Sequence, residues 1–547
     1  MSNNPANTKG KPQQQNAQNN KEEGDAIVHW ADMTADRIIK QKGDKPQYTL
    51  ASGITPSGVV HFGNFRETIT VEFVARALRA RGKNVRFIFS WDDYDTFRKV
   101  PVNMPKQDEL KTFLFQPIVD TPDPFGRDES YAAHHEKNYE GQLAQVGIVV
   151  EPIYQAKKYK RGDYKGQIKK ALESKSKIAE ILNRYRSEPL ESSWMPINLY
   201  CANCKRDKTE ATGWDGNWSV KYKCELCGHE GSENLETTFR AKLPWRVDWP
   251  MRWVYEQVDF EPGGKDHSSE GGSYTTAKDI VAEVYGGTPP VYLQYDFVSI
   301  KGRGGKMSSS KGDLVTVNDV LKIYTPEMVR WIFASYKPNV DFAISFDLDV
   351  IKTYEDFDRQ ERQAYGLEEA NDKKRAMAKR VMELSHIGAM PTTCPFRAGF
   401  RHLCNILQIN DGDLAKTKSF YQSDLKTDFD HQAFEQRCKC AWNWITNDAP
   451  EDFKFTLNKQ AVQVELTDLQ RQFLSKAKSL LDSLWQSGTT DKELHEKLYE
   501  LIHQVEGLEP MQGFQAMYQK LIKRDRGPKL ASFLLAIGKE RVLSLLS

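Results

Sequence analysis

A short apolar run, Tyr48-Thr49-Leu50-Ala51-Ser52, predicts a buried strand. It stops at Gly53-Ile54-Thr55-Pro56-Ser57-Gly58, where two glycines and a proline end regular pairing. Apolar positions then return at helical spacing. Ile69, Phe73 and Ala77, with Val74 and Leu78 beside them, make one stripe of a helix over residues 63–81. Gly82 closes it, as glycine does at many helix ends. Val85-Arg86-Phe87-Ile88-Phe89 is a second strand, running out at Ser90-Trp91-Asp92-Asp93. Strand, glycine loop, helix and strand form one βαβ unit, whose ligand belongs at the carboxyl ends of the strands.

The same grammar returns later. Ile280, Val281 and Val284 give helical spacing over 275–285, and Val291 to Ile300 predicts one strand, followed by a loop rich in glycine and lysine, Lys301 to Gly312. Beyond about residue 320 helical spacing dominates, as in Leu480, Leu481 and Leu484 or Phe533, Leu534 and Ile537. The expected architecture is α/β. A tail over 1–24 precedes the first half of a split Rossmann-type domain (25–154), an insertion (155–260) and the second half (261–320). A stem (321–360) and an all-helical region (361–547) follow. No internal repeat is present.

Composition narrows the picture. Charged residues make up 28% of the 547, yet the net charge is only +2, so a partner that coats the whole surface is not expected. No run approaches the roughly 18–20 apolar residues that cross a bilayer. The first residues, MSNNPANTKGKPQQQNAQNNKEEGD, lack an apolar stretch and predict a disordered tail rather than a secretory signal. Eight cysteines are too few for a disulfide scaffold, so a cytoplasmic location is expected. Four of them fall as Cys201-x-x-Cys204 and, after 19 residues, Cys224-x-x-Cys227, a spacing that predicts a four-thiolate structural Zn2+ site in the insertion. Asp123, Asp128, His134 and His135 form a weaker metal candidate, which a solvent-facing helix explains equally well. The lysines of 157–170 and 175–177 could track phosphates, although such runs are usually solvated helix faces.

Two loops carry the chemistry. Pro56-Ser57-Gly58-Val59-Val60-His61-Phe62-Gly63-Asn64 stands at a strand-to-helix junction, where free backbone N–H groups and the helix dipole suit a phosphate. Gly63 allows close backbone approach, and His61 and Asn64 can donate hydrogen bonds. The bland alternative is a structural histidine. Gly304-Gly305-Lys306-Met307-Ser308-Ser309-Ser310-Lys311-Gly312 can close on polyphosphate charge, but it fails as a Walker A loop because Met307 follows Lys306. A flexible linker is the competing explanation.

Together, in this order and each after a strand, the two loops resemble the signatures of the class I aminoacyl-tRNA synthetases. Residues 61–64 (HFGN) resemble that class's His-Ile-Gly-His, with Asn64 in place of the second His. Residues 306–310 (KMSSS) resemble its Lys-Met-Ser-Lys-Ser, with Ser309 in place of the second Lys. Within the class, the strings SGITPSGVVHFGN, SWDDYDTFRKVP, WRVDWPMRW, GKDHSSEGGSY and FVSIKGRGGKMSSSKG are similar to the class I lysyl-tRNA synthetases.

The resemblance implies formation of lysyl-adenylate from L-lysine and Mg2+-bound ATP, then transfer to the terminal ribose of tRNA(Lys), by a monomer. Catalytic roles fall to His61, Asn64 and Lys306. ATP contacts fall to Pro56, Gly58, His61, Gly63, Asn64, Lys306, Ser308, Ser309, Ser310 and Lys311, with Lys311 compensating for the charge Ser309 lacks. Gly53, Thr55, Trp245, His267 and Asp92 become the lysine-binding candidates. The helical region becomes the anticodon reader, and activation is expected to depend on tRNA. The alternatives are a class I synthetase for another amino acid such as glutamate, an adenylate-forming or nucleotidyl-transfer relative that charges no tRNA, and a non-enzymatic zinc-ribbon RNA-binding protein.

Overall fold

The computed structural model describes residues 29–302, 314–485 and 489–547. Its centre is a five-stranded, wholly parallel sheet built from β1 (Gln47–Ile54), β2 (Asn84–Trp91), β3 (Glu151–Tyr154), β4 (Val258–Gly264) and β5 (Val291–Tyr295), in the order β5-β4-β1-β2-β3. Parallel strands are covered on both faces, so β1 is buried continuously from Tyr48 to Ser52 instead of alternating.

Alternate side chains pack the two faces. Leu50, Phe87 and Phe89 belong to the main core with α1 (Trp30–Lys42) and α2 (Phe62–Ala80). Ala51, Ile88 and Ile153 meet Trp249 and Trp253 of α3 (Trp245–Tyr255) and Ala277 of α4 (Ser273–Ile280) on the other face. The first βαβ unit matches the spacing of its sequence. His61 is the N-cap of α2, and Gly82 stands beyond its end at φ 72°. There the Gly82 and Lys83 N–H groups donate back to the carbonyls of Arg79 and Leu78 at 2.9 and 3.1 Å.

The expected single strand over 291–300 is two. β5 ends at Tyr295, and Val298–Ile300 instead pairs in parallel with Phe342–Ile344. The cause is Arg66 on α2, whose guanidinium takes the carbonyls of Phe297 (3.0 Å), Lys337 (3.1 Å) and Val340 (2.7 Å). The Asp296 N–H meanwhile bonds the Pro338 carbonyl at 2.9 Å. These contacts pull the chain out of the sheet and into the segment after it.

Between β3 and β4 lie three helices over 155–183, a ribbon of three antiparallel strands (Thr209–Trp214, Ser219–Cys224, Glu230–Asn234) and α3. After Phe342–Ile344 the described residues contain helices and no further strand. Side-chain caps start several of them: Asn371, Asp413, Thr427, Thr467 and Thr490 each accept a backbone N–H of the first turn. No helix among the described residues is long and apolar enough to cross a membrane.

Candidate functional site

The strand order reverses between β1 and β4, and ligand crevices of open α/β sheets form at the carboxyl side of such a point. A cavity of about 480 Å3 opens there. The end of β1 and the loop after it give it Gly53, Thr55 and Gly58; α2 gives Asn64 and Glu67; the segment after β2 gives Asp92 and Asp95. Trp245, His267 and Tyr295 complete it. A narrower pocket shares Gly53, Glu67, Asp92, Trp245 and His267 and adds Trp249, Arg252 and Glu261. The sequence candidates Gly53, Thr55, Asp92, Trp245 and His267 therefore stand around one space, with Gly58 and Asn64 beside them.

Each is placed by a local cause. A Cβ on Gly53 would lie 2.6 Å from the Ser90 carbonyl of β2, so only glycine fits, and its N–H donates to Glu67 Oε1 at 3.0 Å. The Thr55 hydroxyl donates to Asp95 Oδ2 at 2.9 Å. Asn64 Oδ1 accepts the His61 N–H at 3.2 Å, leaving the amide NH2 of Asn64 as the donor that α2 offers the cavity. His61 is buried at the N-cap, and neither it nor Pro56 nor Gly63 lines the cavity. Trp245 stacks on Trp249 (5.2 Å, 15°), and His267 sits 5.8 Å from the Trp249 ring. Lys306, Ser308, Ser309, Ser310 and Lys311 lie outside the described residues.

The periodicity of the sequence does not reveal the site's strongest electrostatic feature, an excess of acids. Glu67 also accepts the Tyr295 hydroxyl at 2.6 Å, and burial pushes its carboxyl up to about 8. Burial raises Glu261 and Asp93 to about 7, and raises Asp92 despite its 2.6 Å ion pair with Arg252. Beneath them runs a buried network. Lys242 pairs with Asp95 and, at 3.7 Å, with Asp248; Arg252 reaches Asp248 at 3.4 Å; the Tyr159 hydroxyl donates to Asp248. Burial alone would raise Asp95, but Lys242 outweighs it and holds the carboxyl low. A signal for Glu67 did exist: it lies three residues after Asn64, on the same helix face.

The four knuckle cysteines meet. Cys201 and Cys227 Sγ are 3.7 Å apart and Cys204 and Cys224 Sγ 3.6 Å, and one sulfur from each lies within 4.8 Å of the others. A disulfide needs about 2.05 Å. Four sulfurs around a tetrahedral ion with bonds of about 2.3 Å would stand about 3.8 Å apart, close to the distances seen. Asp123, Asp128 and His134 also gather, with His134 Nδ1 3.0 Å from Asp128 Oδ2. Asp123 accepts three backbone N–H groups of its own loop, and Lys137 pairs with Asp128. His135 is apart from this group, packed against Tyr131 at 4.6 Å, where burial pushes its imidazole down to about 3. Cys394, Cys404, Cys438 and Cys440 lack a metal knuckle's spacing, which favours core packing; Cys404, Cys438 and Cys440 are buried in the helical region and Cys394 is half-buried.

Known proteins resemble this chain along most of its length. A lysine–tRNA ligase of Treponema pallidum is 47% identical over 528 residues, covering 95% of this chain and 98% of the relative. One from Pyrococcus horikoshii is 40% identical over 530 residues, 95% and 99% of the two chains. Among solved structures, a glutamate tRNA ligase of Elizabethkingia meningosepticum aligns over 91% of this chain and 98% of its own, with 14% identity and a TM-score of 0.43. The family model described as tRNA synthetases class I (K) matches residues 28–388, the stretch that holds the parallel sheet, the insertion and the cavity. With that match, and with relatives aligned along nearly their whole length, the chain belongs to the class I (K) tRNA synthetases.

Proposed function

We propose that this protein is a lysine–tRNA ligase: it forms lysyl-adenylate from ATP and L-lysine and passes the lysyl group to the 3′-terminal ribose of tRNA(Lys). The observation that carries this reading is the acid-rich cavity at the strand-order reversal. Lysine brings two ammonium groups, and Glu67, Asp92 and Glu261 can balance them, while Trp245 and His267 flank the aliphatic stem. Gly53 and Thr55 take the α-amino end. A glutamate side chain in the same space would face these carboxylates and suffer like-charge repulsion, which disfavours the rival amino acid.

ATP enters as the Mg2+ complex. The α-carboxylate of lysine attacks the α-phosphorus, and pyrophosphate leaves in line. No side chain need form a bond; the protein positions the reactants and meets charge. Asn64 and His61, with Pro56, Gly58 and Gly63 shaping the turn at the start of α2, serve the phosphates from one side. Lys306, Ser308, Ser309, Ser310 and Lys311 serve the pyrophosphate from the other. The helical region over 361–547 reads the anticodon. A monomer suffices, because one chain carries every group named here, and the setting is cytoplasmic.

Cys201, Cys204, Cys224 and Cys227 would hold a structural Zn2+. The sulfur spacing fits the ion, and four protein ligands leave no place for a reacting water. Protein purified without chelators should contain one zinc per chain by elemental analysis, and a zinc-free preparation would remove this assignment. The deciding test of function is charging of total tRNA with each labelled amino acid in turn. Lysine alone should be accepted; charging with glutamate, or with none, would overturn the reading.

A further inference from the structure

A polar chain runs through the wall between the acid-rich cavity and its neighbour. Thr55 and Asp95 line both spaces, and Lys242 lines the neighbouring one, of about 470 Å3. The Thr55 hydroxyl donates to Asp95 Oδ2 at 2.9 Å, and the Lys242 ammonium donates to the other oxygen, Oδ1. Backbone bonds fix the middle member: the Asp95 N–H donates to the Asp92 carbonyl at 3.1 Å, and its own carbonyl accepts the Ile118 N–H at 2.8 Å. Lys242 comes from the insertion, where the short strand Ala241–Lys242 pairs with Asn198–Leu199. Its side chain is 5% exposed, and an ammonium buried so deeply persists only when it is paired.

The order of charges in this chain decides which way the hydroxyl turns. Burial would raise the Asp95 carboxyl, but Lys242 outweighs it and keeps the group ionised. The other acid near Lys242, Asp248 at 3.7 Å, already meets Arg252 at 3.4 Å and the Tyr159 hydroxyl, which leaves the lysine to Asp95. An ionised carboxylate only accepts hydrogen bonds. The single hydroxyl proton of Thr55 is therefore committed to Asp95. What Thr55 offers the cavity is an oxygen with free lone pairs, able to accept from an N–H donor and unable to donate.

We propose that Asp95 and Lys242 are positioning residues: they fix the Thr55 hydroxyl as an acceptor, so that the cavity takes the α-ammonium of its amino acid and selects against a ligand that lacks one. The inference rests on the reading of the cavity as the lysine site and adds to it the device that orients one of the contacts. The same geometry states what an amide would do in place of the carboxylate. Lys242 can only donate, so the amide oxygen of an Asp95→Asn variant must face it, and the NH2 must face Thr55. The hydroxyl then accepts from that NH2 and turns its own proton into the cavity, against an ammonium. Polarity is inverted while shape is kept.

The test is lysine-dependent pyrophosphate exchange by the full chain with tRNA present. Asp95→Asn should raise the KM for lysine about 10- to 100-fold, the loss expected of a hydrogen bond to a charged group, and leave kcat at saturating lysine in place. The inhibitor 6-aminohexanoate keeps the carboxylate and the distal ammonium but has no α-ammonium, so its Ki should be the same in parent and variant. Thr55→Val should also raise the KM, and Thr55→Val/Asp95→Asn should match Thr55→Val alone, because Asp95 acts through Thr55. In Lys242→Met/Asp95→Asn, which removes one charge of each sign, the amide is free to turn its oxygen to Thr55, and the KM should return toward the parent's. An unchanged KM in Asp95→Asn, additive effects in the Thr55 pair, equal weakening of 6-aminohexanoate, or a folded Lys242 double variant as weak as Asp95→Asn would each overturn the proposal. The lysine-site reading fails separately, if the parent chain supports no lysine-dependent exchange.

Discussion

The acid-rich cavity and another of about 710 Å3 in the helical region set opposite electrostatic problems and solve them in opposite ways. Around the strand-order reversal the charges are buried and tied to each other: Asp92 to Arg252, Asp95 to Lys242, Asp248 to both cations. In the helical region Arg401, Lys454, Arg524, Arg526 and Lys529 line the wall against Glu355 and Asp452. Arg401, Arg526 and Lys529 stand at the surface, and Asp525, the one acid of the loop Arg524 to Lys529, is held by Gln515 and Gln519. Burial makes the first site sensitive to protonation and largely indifferent to salt. Exposure makes the second sensitive to salt and largely indifferent to pH. A small ligand with two ammonium groups suits the first and an extended polyanion the second.

The largest effect should come from breaking the buried side of this contrast. Arg252 is 7% exposed and meets two carboxylates. Arg252→Ala leaves Asp92 and Asp248 short of a counter-charge and should cost about 3–5 kcal/mol of stability by denaturant unfolding. No exposed cation of the helical cavity should approach that. Next comes Asn64→Ala, which removes the donor we propose to face the reacting phosphates. Lysine-dependent pyrophosphate exchange, measured with tRNA present, should fall about 100- to 1,000-fold, or about 3–4 kcal/mol, with little change in melting temperature.

The sequence made one half of this contrast easier to see than the other. The first βαβ unit was legible because its apolar residues form two short runs and one helical stripe, and glycines mark the loop after β1 and the end of α2. β4, by contrast, is a fully buried strand that carries acids, Val258-Asp259-Phe260-Glu261-Pro262-Gly263-Gly264. Asp259 bonds the Thr49 N–H and pairs with Lys45, and Glu261 accepts from Trp253, so tertiary partners make possible what the pattern argues against. For the same reason the sequence named Gly53, Thr55, Asp92, Trp245 and His267 around the cavity but not Glu261 or Arg252, whereas Glu67 could have been read from its place one helical turn after Asn64. The burial of Glu261 and Arg252 depends on α3 folding back across the sheet, and no local spacing encodes that. The run from Val291 to Ile300 failed in another way. Its pattern is continuous, and only Arg66, more than 200 residues earlier in the chain, breaks it.

Glu67 gives a smaller effect that separates the two sites by pH. Folding raises its carboxyl from 4.5 to about 8, so the folded state holds more protons across that window. Its contribution to stability therefore falls as pH climbs from about 4.5 to 8. Lysine acts in the other direction: its ammonium favours the ionised carboxylate, so binding releases a proton and tightens as pH rises toward 8. Calorimetry in two buffers of different ionisation enthalpy should detect that proton. Glu67→Gln should abolish it and weaken lysine binding by about 1.5–3 kcal/mol, the range for a hydrogen bond to a charged group. Binding of tRNA should show neither change.

The smallest effect tests whether paired surface lysines differ from the freer cations of the helical cavity. Lys177 belongs to one of the lysine-rich stretches of the insertion, yet it pairs with Glu180 at 2.9 Å and Glu283 at 3.4 Å, and Arg184 shares the same acids. Its charge is already balanced by neighbours, as expected of a solvated helix face. Lys177→Ala should therefore change stability by no more than about 0.5 kcal/mol and leave the KM for tRNA where it was. If that substitution weakened tRNA, neutralised surface lysines would serve RNA as well as free cations do. The distinction between paired and unpaired positive charge would then disappear.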